Sequence, residues 1–185
     1  MSRTWLAAPA LLIALTGCSG SDDPPAAGAP STAPASPTTQ PDEGVAVSLR
    51  SYPGFTSCQI DQGAFFIAQP MRVERPVTLT KVTLTGATNV VGGDTAVAPV
   101  PEGKHPDGFT LHGSTPPADL VADLGWKDRE PLDGAQLSAG RYYVFVPLRT
   151  RGPAAHFDGV EVTWDEDGGS ASSTAELVTD FKETC

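Results

Sequence analysis

The sequence predicts an all-β fold, an antiparallel sandwich, and three observations carry that expectation. From Val45 onward apolar residues recur with period two; short apolar runs are separated by Gly, Pro or Asp; and no capped helix is present. The first run, 45–50, places Val45, Val47 and Leu49 on one side. Runs at 59–68, 76–85, 87–91, 95–99, 109–112, 119–124, 141–149, 157–165 and 173–180 complete the expected strands. Within 76–85 the apolar parity switches at Lys81, which marks a bulge or a change of partner. Within 157–165, Phe157, Val160, Val162 and Trp164 fall largely on one side and Glu161, Thr163 and Asp165 on the other, with Gly159 breaking the phase. One face of that strand should be solvated and Trp164 should be core. The segment Asp165-Glu166-Asp167-Gly168-Gly169 reads as a polar hairpin turn, where Asp and Gly supply positive φ. Calcium is the alternative for those carboxylates, but the ligand spacing of an EF-hand is absent.

The run Leu137-Ser-Ala-Gly140-Arg-Tyr142-Tyr143-Val144-Phe145-Val146 resembles the tyrosine-corner region of immunoglobulin-like and fibronectin-type sandwiches. The resemblance covers about ten residues and implies an Ig-like β-sandwich. It also implies that Tyr142 lies inward with Val144 and Val146, its hydroxyl bonded to backbone near Leu137. The alternative is any buried strand that carries two tyrosines. The inter-sheet cysteine pair of antibody domains is missing, so an antibody-type domain is not implied.

Composition bounds the function. The 185 residues include 18 Pro, 19 Gly and 3 Cys, room for one ordinary domain once the tails are set aside. Asp and Glu number 22 against 12 Lys and Arg, a net charge of −10. A nucleic-acid surface needs clustered positive charge, which the sequence does not show, so no nucleic-acid partner is expected.

Residues 1–17 carry one cation, Arg3, then an apolar run from Trp5 to Leu15, then Leu15-Thr16-Gly17-Cys18. The pattern is a secretory signal peptide ending at a cysteine, too short to span a bilayer comfortably. The tetrapeptide resembles the bacterial lipobox, and that resemblance implies cleavage before Cys18 and lipidation of Cys18, a stable anchor once two or three acyl chains are attached. An ordinary secretory signal with an incidental cysteine is the alternative. The expected location is the extracytoplasmic face of the cell membrane, with the lipid bilayer as a partner through acylated Cys18. Loss of Arg3 leaves 11 basic against 22 acidic residues, so the mature chain should be repelled by anionic headgroups. Residues 18–44 supply a tether: from Ser19 to Gly44 there is no aromatic residue and no Val, Ile, Leu or Met. Such a segment cannot offset its chain entropy and is expected to be a disordered linker. Six prolines stiffen it, giving a reach on the order of 80 Å. The expected domain is 45–185.

With Cys18 consumed by lipid, Cys58 and Cys185 remain as an even pair in an oxidising compartment, and a structural disulfide between them is expected. A thiol redox or metal site lacks the CxxC spacing. His105, Asp107 and His112, joined by His156, are candidate Cu or Zn ligands. Seven residues of regular strand would put His105 and His112 on opposite faces, so such a site needs loop geometry; exposed loop histidines are the alternative. Trp126 is a candidate sugar-stacking residue. GxSxG, HExxH, P-loop and GxGxxG motifs are all absent. No cofactor and no enzymatic activity are therefore expected. The expected function is a non-enzymatic binding or adapter surface for an envelope protein or polymer. Its interaction loops are 101–117 and 125–134, the longest polar interruptions. Metal or small-ligand binding and envelope-glycan binding are the alternatives.

Overall fold

The computed structural model describes residues 44–60, 62–152 and 154–185. The expected signal peptide, Cys18 and the linker to residue 43 lie outside the described residues. The described chain is a β-sandwich, as the period-two runs require. Its strands are β1 (Val47–Leu49), β2 (Thr56–Ile60), β3 (Ala64–Val73), β4 (Val77–Thr85), β5 (Val90–Gly92) and β6 (Ala96–Pro99). They continue with β7 (Phe109–His112), β8 (Glu130–Pro131), β9 (Gln136–Leu137), β10 (Gly140–Thr150), β11 (Ala155–Glu166) and β12 (Gly169–Lys182).

Sheet I is ordered β1-β3-β10-β6-β8, with β7 beside β3 and β5 beside β10; sheet II is ordered β2-β12-β11-β4-β9. Two segments pass between the sheets. After β1, Tyr52 N–H donates to the Glu176 carbonyl of β12 (2.9 Å), handing the chain to β2. Before β5, Thr88 pairs with His156 of β11, while Val90–Gly92 pairs with β10. Strands that switch sheets in this way close the ends of a sandwich.

Between the sheets, side chains of one parity from each strand meet. Phe65, Ile67, Met71, Val144 and Val146 of sheet I face Leu79, Phe157, Val160, Val162 and Trp164 of sheet II. Each large apolar side chain fully buried here contributes about 1.5–3 kcal/mol relative to exposure. Trp164 is 1% exposed, so it is core as its alternation partners predict. Tyr142 packs against this core with Val144 and Val146, and its hydroxyl donates to the Ser138 carbonyl (3.0 Å), the contact expected of a tyrosine corner.

Local irregularities also follow the sequence. The parity switch near Lys81 is a bulge: Thr163 faces Lys81 but Trp164 faces Leu79, leaving Thr80 unmatched. The phase break at Gly159 is a second irregularity, and there a Cβ would meet the Ala175 carbonyl oxygen at 2.1 Å. Asp167 and Gly168, both at positive φ (48° and 81°), turn β11 into β12; Glu166 accepts from Arg75 (2.9 Å). That carboxylate cluster is a hairpin turn. Cys58 and Cys185 form the expected disulfide, Cα atoms 6.0 Å apart.

Three expectations are corrected. The run 59–68 is not one strand: it divides at Gly63 (φ 139°), whose N–H is taken by Thr150 Oγ1 at 2.8 Å, and the two parts enter different sheets. The run 119–124 is not a strand. It is a turn in which Leu124 N–H donates to the Leu120 carbonyl (3.0 Å), so the two leucines share one side through i, i+4 spacing rather than alternation. The sandwich is also not wholly antiparallel, because β2 runs parallel to β12.

Candidate functional site

Sheet I buries apolar side chains on both faces. The opposite parity of β3 and β10 places Phe66, Ala68, Tyr143 and Phe145 outward, where they join Ala98 and Leu124 in a second buried cluster. Among the described residues no sheet covers this face. The irregular segment 113–129 lays Leu120, Leu124 and Trp126 onto it. The loop 101–108 is tied beside it by Tyr52, whose hydroxyl accepts from Gly108 N–H at 2.6 Å, and by the Asp107 backbone N–H, which donates to the Tyr143 phenol oxygen. Burial pushes the Tyr143 phenol above its ordinary value, so it stays a neutral anchor.

Trp126 sits in a short 3₁₀ turn, Trp126–Asp128, entered through Gly125 at φ 62°. A side chain at position 125 would strike the Pro99 carbonyl at 2.6 Å, so glycine fixes how closely the turn approaches β6. The indole is half-buried and stands edge-on to Phe145, centroids 5.0 Å apart. Arg129 lies 4.1 Å over the ring centroid and donates to the Trp126 carbonyl (2.7 Å). Beside this stack runs an open groove of about 550 Å³, with Trp126, Phe145 and Pro147 lining its apolar side and Asp94, Arg129 and Glu130 its charged side. Ser114 and Thr115 add hydroxyls. An aromatic surface with adjacent carboxylates, a guanidinium and hydroxyls offers stacking and hydrogen bonds together, the mixed chemistry of a recognition surface.

The metal candidates are not brought together. His105 is exposed on the outer-face loop, and Asp107 is held by Arg50 (2.8 Å). His112 is directly across from Phe65 on β3 and packs edge-on to its ring at 5.1 Å, on the inward parity. His156 is on sheet II, its Nδ1 bonded to Asp180 and its Nε2 to Asp158, each at 2.8 Å. Among the described residues no three His, Cys, Asp or Glu side chains form a group able to hold a metal ion. The hydrogen bond to Asp180, then that to Asp158, hold the His156 pKa above its ordinary value; Lys182 and then His156 hold Asp180 below its own.

Sequence reasoning missed this clamp, although His156 and Asp158 are two residues apart on one strand and share a face. Asp180 completes it only through the β11–β12 register. It also missed the outer-face cluster, whose signal was the continuous apolar run Phe65-Phe66-Ile67-Ala68, since a strand buried on both faces loses its alternation.

No protein-family model matches the chain, and no curated protein matches it in sequence. The functional reading rests on the chain's own residues.

Proposed function

We propose that the protein is a lipid-anchored extracytoplasmic lipoprotein whose β-sandwich presents a non-enzymatic binding surface at the cell envelope. The lipobox-like Leu15-Thr16-Gly17-Cys18 supports the anchor. The groove beside Trp126, on the loop-covered face of sheet I, carries the binding reading. It includes part of the expected interaction segments 101–117 and 125–134, and the partner is an envelope protein or polymer. Radiolabelled palmitate should enter the wild-type chain in cells and not Cys18→Ala; equal labelling of both removes the anchor. Crosslinking on intact cells should capture a partner that Trp126→Ala and Arg129→Ala lose. Unchanged capture by both variants removes the groove.

The position of Trp126 in the groove also favours a second reading, an envelope glycan stacked on the indole. Titration with envelope oligosaccharides should then change tryptophan emission, and the change should vanish in Trp126→Ala. A response that persists in that variant excludes stacking at this residue.

A further inference from the structure

At the opposite end of the sheet I outer face from Trp126, β1, β3 and β10 lie side by side. Their register sets Ser48 against Arg72 and Arg72 against Arg141. Met71 and Tyr142, the neighbours of these arginines, point into the sandwich, so Arg72 and Arg141 share the outer face. Directly opposed like charges on a sheet destabilise it. The loop 101–108 and the end of β1 add Arg50 and His105 around the same hollow, a cavity of about 280 Å³ with three arginines and a histidine and no carboxylate in its lining. These are three of the eight arginines of a chain with net charge −10.

Two of the guanidiniums are positioned by their partners and keep donors to spare. Arg50 Nη1 donates to the Pro106 carbonyl (2.9 Å) and to Asp107 Oδ1 (2.8 Å), and its own carbonyl accepts from buried Gln69 Nε2 (2.9 Å). Arg72 uses Nε and Nη2 on Glu74. Since a guanidinium has five N–H donors in a fixed fork, both retain donors. Arg141 is exposed and has no ion pair among the described residues.

We propose that this hollow between β1, β3, β10 and the 101–108 loop is a binding site for a phosphoryl group, recognised by Arg50, Arg72 and Arg141. A planar carboxylate offers two oxygens, whereas a phosphoryl group offers three or four in a tetrahedron, a count that the spare donors of three arginines lining one hollow can share. The volume holds a phosphate with a small attached alcohol. The group can come from a soluble or polymeric phosphate or from a phospholipid headgroup, and the two sources separate experimentally. The site is distinct from the Trp126 groove and does not rest on it.

The test uses the full chain in neutral detergent, titrated calorimetrically with glycerol 3-phosphate and, separately, with micelles doped with phosphatidylglycerol. Wild type binds at least one of the two saturably, and Arg141→Gln weakens that binding about tenfold. Arg149→Gln, exposed and outside the hollow, leaves it unchanged. Binding of glycerol 3-phosphate alone assigns a soluble or polymeric source; binding of the doped micelles, lost in Arg141→Gln, assigns the headgroup. Without phosphate, Arg141→Gln melts at or above the wild-type temperature, because a repulsion is relieved. No saturable binding of either probe, or equal binding by Arg141→Gln and wild type, overturns the proposal.

Discussion

The interior between the sheets and the aromatic cluster on the outer face of sheet I are both apolar, yet they are closed by different means. Phe157, Val160, Val162 and Trp164 of sheet II are covered by sheet I, whose strands are locked by long ladders, ten register pairs joining β3 to β10. Phe66, Tyr143 and Phe145 are covered by an irregular segment that contributes a few side chains, Leu120, Leu124 and Trp126 among them. A ladder loses its hydrogen bonds cooperatively, whereas a segment of turns can lift away while the sheet beneath survives. The difference explains why both the groove and the arginine hollow open on the outer face. Loops carry the adaptable surface, and the sandwich holds them in place.

The sharpest way to break the comparison is to hollow out each region in turn. Phe157→Ala, in the inner core, should cost about 3–5 kcal/mol and lower the urea midpoint of the whole domain. Removing the disulfide with Cys58→Ser and Cys185→Ser comes next, at about 2–5 kcal/mol, since the bridge spans 127 residues of sequence. It should first expose β2 and the end of β12 to hydrogen exchange. Leu124→Ala, in the outer cluster, should cost about 2–3 kcal/mol and act locally. Exchange should quicken in 113–129 while the β11–β12 amides stay protected. Equal acceleration in both regions would show that the cover and the sandwich unfold as one unit.

The smallest effect is pH-dependent. The folded His156 pKa is raised, so its contribution is complete below the unfolded value near 6.5 and is lost as pH rises through the folded value. Asp180 is depressed, so its contribution holds above its ordinary 3.8 and is lost as pH falls through the folded value. The clamp is therefore strongest between those two ordinary values. His156 is 32% exposed, which limits the clamp to a few tenths of a kcal/mol. The stability difference between wild type and His156→Asn, measured by urea unfolding, should be largest at about pH 5 and shrink as pH rises through the raised folded pKa of His156. A difference independent of pH would remove the charged form of His156 from the account.

Much of the inner sandwich was legible because its signals are local. The alternation around Trp164 named a core face, the parity switch at Lys81 marked a bulge or a change of partner and proved to be a bulge, and Asp167-Gly168 named a turn. The segment 119–124 misled because Leu120, Val121 and Leu124 make an apolar cluster that short-range pattern cannot divide between strand and turn. Its i, i+4 leucines were the discriminating feature. Trp126 was legible as a residue of interest, but its groove was not, because Phe145 and Pro147 reach it from a distant strand.

What the sequence determined by itself was the class of structure and its covalent closure. Backbone preference at turns and the period of apolar residues act over a few residues, and the two cysteines within 45–185 leave one pairing there. What the tertiary structure alone decided was adjacency. Arg50, Arg72 and Arg141 are scattered in an acidic chain that gives no sign of clustered positive charge. They meet because β1, β3 and β10 adopt one register, and register is set by how buried side chains pack across the whole sandwich.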